Sequence, residues 1–491
     1  MRPGADSGSP GAGPRTRVRC PSADRVGARP TSRTGAWPTT RGGRLPGPQA
    51  PGQSVRACTA IDTARDSHNH RCFDATGRSL NMTSSAADST ATATPRPATP
   101  ATADARAAAP SAASAGADHD AAMRAYLAEG ERRAFTLGNR GPIRFTADGK
   151  VHPDILDAYW RCGFYVFEGV LKPDELADIE ADIKNILERL PSERGSPVDA
   201  KGRPALGVDC TAPTLFWARP LGDPVGGTKA NNGRHPVKMH EPEAAADAPK
   251  EVVYLILGDL QFSDAALRVY GHPQLLAVAA AVNGDDFVPF NEALFIKEPG
   301  RGASVAWHQD GVTHWNSPDL DGGTHGFNFM AQLYGCTAAN GVWVVPGSHK
   351  MGKVDIRAMA ERAGSDRLPD AVPIICAPGD VAITNRQTVH GSFANTSPDW
   401  RVTVNMGFHR RRSVLNVRTE GTAHVGPSVY DEARIRQRAR MIGLGIAARK
   451  QRFPDETPFV YQPHAQSGET FVWDDAARAS IRDYNLLDLS I

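Results

Sequence analysis

In the stretch "SVAWHQDGVTHW", His308 and Asp310 stand two residues apart. Alternate side chains of an extended strand point the same way, so an imidazole and a carboxylate at this spacing can reach one metal ion from one strand end. In a chain with 15 histidines such a pair arises by chance about once, and alone it reads as a surface histidine beside a solvated aspartate. The downstream residues change that reading. His390 comes 80 residues after Asp310, at the end of a strand-like run in "APGDVAITNRQTVHGS", and Arg401 comes eleven residues later, at the start of "RVTVNMGF". Two imidazoles and one carboxylate on a β scaffold form a facial triad, which leaves positions on an iron ion open for oxygen and a chelating co-substrate. An arginine at the start of the adjacent strand can grip the far carboxylate of a 2-oxo acid through two parallel hydrogen bonds. Singly, His390 reads as a structural histidine and Arg401 as a surface arginine; their order within strand-like sequence makes the signal.

The elements that must carry these residues are short and β-rich. From Phe287 onward, "FVPFNEALFI", "GFNFMAQLYG", "GVWVVPGS", "DVAITN" and "RVTVNMGF" are punctuated by Gly, Pro and Asn, the texture of a sandwich or barrel and not of a parallel α/β sheet. Upstream, "HPDILDAYWRCGFYVF" predicts a helix with Pro153 in its first turn and Ile155, Leu156, Tyr159 and Trp160 on one face. Gly163 stops it, and a strand follows over Phe164 to Phe167. The helical spacing of Leu176, Ile179, Ile183, Ile186, Leu187 and Leu190 predicts a second helix, with acids in its first turn. A third is expected from Pro273 to Val282. Residues 191–249, rich in Gly, Pro and Ala around "GGTKANNGRH", read as a long loop or lid suited to covering a site or reaching a partner subunit. Beyond Ser413, "YDEARIRQRARMIGLGIAARKQRF" reads as a helix with a basic face, solvated or in a subunit contact, and not as a nucleic-acid surface.

A chain of 491 residues with 40% hydrophobic and 22% charged residues has room for one large or two ordinary domains with real cores. Lysine plus arginine number 56 against 54 acids, a formal charge of +2, which removes the simplest electrostatic case for nucleic-acid or anionic-membrane binding. No apolar run reaches the roughly 18 residues of a membrane span. Seven scattered cysteines without CxxC spacing argue against a disulfide framework or a thiolate zinc site and fit a reducing cytoplasm. No glycine-rich phosphate loop and no nucleophile elbow is present. Residues 1–120 are dominated by Gly, Pro, Ser, Thr, Ala and Arg, and the first lysine is Lys150. They read as a disordered low-complexity extension, with Met82 or Met123 as an alternative start and order beginning near Ala121. Its Gly and Pro also prevent the amphipathic helix of a transit peptide.

On "WHQD", "NGVWVVPGSHK", "APGDVAITNRQTVHGS" with "WRVTVNMGF", and the opening "GFYVFEGVLKPDELADI", the sequence resembles the phytanoyl-CoA dioxygenase family of iron(II)- and 2-oxoglutarate-dependent oxygenases, over residues 151–412. The resemblance implies a mainly β fold with flanking helices around a double-stranded β-helix (jelly roll, cupin-like) core. Residues 121–412 would form that domain, and residues 413–491 a mostly helical extension packed on it. The resemblance further implies iron(II) held by His308, Asp310 and His390, with 2-oxoglutarate chelating the iron at one end and meeting Arg401 at the other. Ser392 matches a hydroxyl that shares this distal carboxylate. Asn328 falls at a polar co-substrate contact, and strand alternation puts Met330, Gln332 and Tyr334 on its face. Gln332 is thereby a candidate substrate contact. Lys297 matches a lysine that either reaches the pocket or is a solvated strand end. His314 and Trp315 follow the HxD strand, where an aromatic walls the substrate space or simply packs, and His349 belongs to a turn.

The implied reaction consumes O2 and 2-oxoglutarate, releases succinate and carbon dioxide, and hydroxylates an unactivated C–H bond of a small molecule. The enzyme would be a cytoplasmic monomer or homodimer with neither a nucleic-acid nor a membrane partner. No basic cluster beside the pocket motifs calls for a CoA phosphate, so the family's name does not extend to the substrate. One alternative is a jelly-roll binding or sensing protein without turnover. Another is a cupin-type metalloenzyme without 2-oxoglutarate, against which Arg401 and Ser392 speak.

Overall fold

Helix α1 (Ala112–Ala134) begins before the expected onset of order and leads to β1 (Arg140–Gly141). The computed structural model describes residues 112–311, 326–419 and 427–488. The low-complexity extension up to residue 111, together with His314 and Trp315, lies outside them. Helix α2 (Pro153–Cys162) starts as its sequence predicts, with Pro153 in the first turn and the His152 ring accepting from the Asp154 N–H. It ends where Gly163 takes φ +83°, and a β-carbon there would stand 2.5 Å from His349 Nδ1 and 2.6 Å from Thr388 Oγ1. Glycine is thus required both by the backbone and by the close approach of the chain leading to His390. Strand β2 (Phe164–Phe167) is buried throughout, and α3 (Pro173–Glu188) buries Ile179, Ile183 and Ile186.

The stretch read as a loop contains one strand, β3 (Leu215–Ala218), which pairs with β4 (Val252–Leu257) at a sheet edge. Four residues between proline-rich flanks carry too little periodicity to announce themselves. Next come α4 (Asp264–Tyr270), α5 (Pro273–Asn283), β5 (Val288–Lys297), β6 (Val305–His308), β7 (Gly326–Gln332) and β8 (Trp343–Val344). The series continues with α6 (Ile356–Ala363), β9 (Val372–Pro373), β10 (Val381–Asn385), β11 (His390–Ser392) and β12 (Arg401–His409). After α7 (Arg411–Val414) comes the long α8 (Glu432–Arg452).

The larger sheet has the order β1-β2-β10-β7-β12-β5-β4-β3, and the smaller one β6-β11-β8-β9. From β5 to β12 the chain passes repeatedly between the two, and every pairing among these strands is antiparallel. This is a double-stranded β-helix with helices on its outer side. Along β12, Val402, Val404, Met406 and Phe408 point outward into the main core, where Phe327 and Phe329 of β7 and residues of α2 to α5 and α8 meet them. Their alternates Arg401, Thr403 and Asn405 point inward and line a cavity with Asn328, Met330 and Ala293.

Helix α8 departs from the expected solvated basic face. Arg434, Arg438 and Arg449 are buried. Arg438 Nη2 donates to both carboxylate oxygens of Glu292 at 3.0 and 2.9 Å, and its Nε donates to Asp488 at 2.7 Å. Arg434 adds a 2.8 Å bond to Asp488, and Arg449 reaches Glu175 at 2.7 Å. Buried cations demand such partners, and the partners lie too far along the chain for a local pattern to show them. No helix among the described residues is long and apolar enough to cross a membrane.

Candidate active site

Strand β6 ends at His308 and β11 begins at His390, and the two are cross-strand partners in the smaller sheet. Their ring centroids are 4.1 Å apart. Asp310, just past the end of β6, places Oδ1 3.5 Å from His308 Nε2 and Oδ2 4.0 Å from His390 Nε2. One ligand atom from each of the three lies within 4.8 Å of the others. His308 Nδ1 sits 2.8 Å from the Ala306 carbonyl oxygen, and His390 Nδ1 2.9 Å from that of Thr388. A carbonyl only accepts, so each Nδ1 carries the hydrogen and each Nε2 presents its lone pair to the centre. Burial, and next the neighbouring His308, lower the His390 pKa to about 3, so the ring is neutral. Burial alone would raise the Asp310 carboxyl, but Arg386, with His308, His390 and Arg234, holds it well below the usual range. Two imidazole nitrogens and one carboxylate on one side of an open space fit an octahedral divalent iron.

The carboxylate is oriented from behind. Asn328 Nδ2 donates to Asp310 Oδ2 at 2.8 Å, and Arg386 Nη1 donates to Asn328 Oδ1 at 3.1 Å. Arg386 Nη1 also stands 3.8 Å from Asp310 Oδ2, while its guanidinium covers the Phe290 ring at 4.1 Å. Asn328, for which the sequence suggests a co-substrate contact, does line the cavity, but one of its amide hydrogens is committed to the metal-ligating carboxylate.

Arg401 opens β12 opposite Lys297 of β5. Its Nε donates to Thr403 Oγ1 at 3.0 Å and its Nη1 to the Asn340 carbonyl at 3.4 Å, and it faces the same cavity as the triad. Ser392 lines that cavity as well. Gln332, read as a candidate substrate contact, does not line it: at the end of β7 its Oε1 accepts from Thr403 Oγ1 at 2.9 Å, so it props the residue that props Arg401. Lys297 is buried and donates to the Phe393 carbonyl, and so is neither a solvated strand end nor a lining residue. Burial, and then the Arg401 charge, hold its amine well below the usual lysine range. Tyr334 falls beyond the end of β7 and bonds Glu180 on the surface at 3.2 Å instead of sharing the Asn328 face. His349 lies in a turn, as expected, with Nε2 3.0 Å from the Trp160 carbonyl.

Three site residues escape a reading of the sequence. Arg234 and His235 come from the 191–249 segment: Arg234 Nη1 donates to Asp310 Oδ1 at 3.1 Å, and the His235 ring lies 4.4 Å from that of His308. Their signal is an Arg-His pair at the end of a turn in which Asn231 and Asn232 take positive φ. Arg386 stands in plain view four residues before His390. Together these groups enclose a cavity of about 610 Å³. Trp217, Pro224 and Asn231 of the 191–249 segment line it, as do Tyr254, Leu255 and Phe295 of the neighbouring strands β4 and β5.

Fold and site define a non-haem iron oxygenase built on a double-stranded β-helix. The family model "Phytanoyl-CoA dioxygenase (PhyH)" matches residues 159–403, and the chain belongs to this family of iron(II)- and 2-oxoglutarate-dependent oxygenases. Its cofactor is iron(II), and its co-substrates are 2-oxoglutarate and O2. Among solved structures, AviO1 from Streptomyces viridochromogenes Tue57 shares 24% identity over 51% of this chain and 91% of its own, with a TM-score of 0.35. EctD from S. alaskensis, solved with 2-oxoglutarate and 5-hydroxyectoine, shares 21% over 58% and 83%, with a TM-score of 0.38. The non-heme alpha ketoglutarate dependent epimerase SnoN from nogalamycin biosynthesis shares 18% over 52% and 84%, with a TM-score of 0.35. A comparison with curated proteins found no match.

Proposed function

We propose that this oxygenase is a hydroxylase that inserts one oxygen atom into an unactivated C–H bond of a small molecule. The observation that carries the reading is that His308, Asp310 and His390 and the guanidinium of Arg401 open onto one cavity. Bound iron with 2-oxoglutarate supplies the oxygen activation. The chain's own residues do the rest. His308 and His390 offer fixed Nε2 lone pairs, because each Nδ1–H is tied to a carbonyl. Asn328 and Arg386 keep Asp310 ionised and turned toward the metal. Arg401, steadied by Thr403, receives the distal carboxylate of 2-oxoglutarate beside Ser392. Tyr254, Leu255 and Phe295 make a dry wall against which the substrate carbon rests. One atom of O2 leaves in succinate and the other in the product, with carbon dioxide released. The four cysteines among the described residues are free, which supports a reducing, cytoplasmic setting.

The test is anaerobic calorimetry of the iron(II)-loaded protein with 2-oxoglutarate, followed by turnover under labelled oxygen with a panel of small molecules. Iron-dependent binding, one labelled atom in succinate and one in the product are expected. A protein that binds iron yet takes up no 2-oxoglutarate, or binds it and never forms succinate, would return the reading to a sensor or a different metalloenzyme.

A further inference from the structure

The charge of the cavity exceeds what iron and 2-oxoglutarate use. Three guanidiniums face it, those of Arg234, Arg386 and Arg401, against the single carboxylate of Asp310 among the described lining residues. A divalent metal and the 2-oxoglutarate dianion cancel each other. A histidine is neutral or cationic, and burial keeps the Tyr254 hydroxyl protonated, so neither kind of lining residue adds an anion. With both cofactors in place, the chamber would hold an excess of two positive charges away from water, which is unfavourable without a counter-charge.

The two remaining cations differ in how far they are already engaged. Arg386 is stacked on Phe290, bonded to Asn328 and close to Asp310; its Nε and Nη2 also have no acceptor among the described residues, but the stack holds them on a side chain only 1% exposed. Among the described residues the Arg234 side chain makes one hydrogen bond, from Nη1 to Asp310 Oδ1 at 3.1 Å. Its buried Nε has no acceptor among the described residues. Its side chain is only 9% exposed, and it lines the cavity. The chain thus holds an arginine with open donors at the metal face, on the wall supplied by the 191–249 segment.

We propose that the substrate carries an anionic oxygen group, a carboxylate or a phosphate, which Arg234 receives through Nε and a terminal nitrogen. The proposal rests on the oxygenase reading and specifies its substrate class. Arg386 lends its field from behind, and Trp217, Tyr254 and Phe295 take the apolar remainder. Because Arg234 also touches the metal-ligating Asp310, the anion docks one guanidinium away from the metal centre. The carbon that is oxidised therefore lies only a few bonds from the anionic group.

The experiment uses the full chain, anaerobic, loaded with iron(II) and saturated with 2-oxoglutarate so that Arg401 is filled. Calorimetric titrations compare phenylacetate, phenyl phosphate and benzenesulfonate with phenylacetamide and benzyl alcohol, and butyrate and butyl phosphate with butyramide and butanol. At least one anion should bind about tenfold or more tightly than its neutral counterpart, and the preference between carboxylate and phosphate identifies which of the two the site takes. In Arg234→Gln the preference should fall to about threefold or less, and Arg234→Lys should keep part of it. Neutral probes binding as well as anions, or a preference that survives in Arg234→Gln, would overturn the proposal. So would a loss of 2-oxoglutarate affinity in Arg234→Gln, since Arg234 would then serve the co-substrate. Iron(II) and 2-oxoglutarate are loaded and measured before any probe, so failure at that stage refutes the oxygenase reading, and the proposal with it, in a separate step.

Discussion

Exchanging Arg401 for lysine keeps a positive charge and removes the planar fork. In the native site the fork is already divided: Nε is held by Thr403 at 3.0 Å and Nη1 by the Asn340 carbonyl at 3.4 Å, which leaves the outer edge free for a carboxylate. A lysine brings one flexible ammonium, which cannot hold Thr403 and meet both oxygens at once. It would also stand opposite Lys297, whose amine is already pushed down by burial and by the charge at position 401. The loss is that of one charged hydrogen bond, about 1.5–3 kcal/mol, so the affinity for 2-oxoglutarate should fall roughly 10- to 150-fold. Thr403→Val, which only releases Nε, removes a neutral acceptor worth about 0.5–1.5 kcal/mol and should cost less than the lysine exchange. Both variants should bind iron as the native chain does, because the triad lies on other strands. The assay is 2-oxoglutarate binding by anaerobic calorimetry, paired with the half-saturating concentration in succinate formation. An unchanged affinity in Arg401→Lys would refute the reasoning and move the distal carboxylate to another residue.

Four further outcomes are expected. His308→Ala or His390→Ala should lower iron affinity sharply and abolish succinate formation while the metal-free melting temperature stays near that of the native chain; near-normal iron-dependent turnover in either would sink the triad. Halogenases of related type have a small residue where Asp310 stands, so with a true substrate and excess chloride or bromide the product should gain one oxygen and no halogen by mass spectrometry, and a halogenated main product would show that Asp310 does not ligate. Burial, then Arg449 and Lys172, lower the His272 pKa from 6.5 to about 3, so between these values the unfolded chain binds a proton that the folded one does not. The metal-free protein should thus lose up to about 1.4 kcal/mol per pH unit from this group as pH falls through that window, and His272→Gln should flatten the slope by about 1 kcal/mol between denaturant titrations at pH 6.5 and 5.5, where the unfolded imidazole is only partly protonated; an unaltered slope would show that His272 is protonated in the fold. Arg438→Met leaves Glu292 buried without its cation, while Asp488 keeps only Arg434, and should cost about 3–5 kcal/mol, read as a lower denaturation midpoint, and a midpoint unchanged from native would mean that the cluster is solvated.

The residues legible in the sequence are those whose relation is local or fixed by strand geometry. His308 and Asp310 share a strand end, and His390 and Arg401 open consecutive strands, so spacing alone exposes them. The alternation along β7 and β12 is equally visible, because one face has to be apolar: Phe327 and Phe329 against Asn328, and Val402 and Val404 against Arg401 and Thr403. Where a strand stops is less visible, which is why alternation alone carries Gln332 and Tyr334 onto the Asn328 face although neither lines the cavity. Arg234 and His235 are hidden for a different reason. A Gly- and Asn-rich composition says that a segment turns, but where it comes to rest depends on contacts far along the chain, as with Arg234 and Asp310, which are 76 residues apart. The arginines of α8 are obscured on the same count, since burial is a property of the partner, and Glu292 lies 146 residues from Arg438.

That last separation sets an order in time. Glu292 sits on the strand whose inner neighbours Asn291 and Ala293 line the cavity, and its own carboxylate points to the back of the sheet, where Arg438 covers it. On a ribosome adding about 5–20 residues per second, Arg438 emerges roughly 7–30 s after Glu292. Before that interval ends, every metal ligand from His308 to His390 has been synthesised, while the sheet beneath them still carries a bare acid where its core should close. Because the acid on the back of that sheet meets its cation only when α8 docks, the nascent chain would acquire its metal lastingly after this helix and not as the ligands appear. Early release of a truncated chain would yield a sheet with all its ligands and no lasting capacity to hold iron.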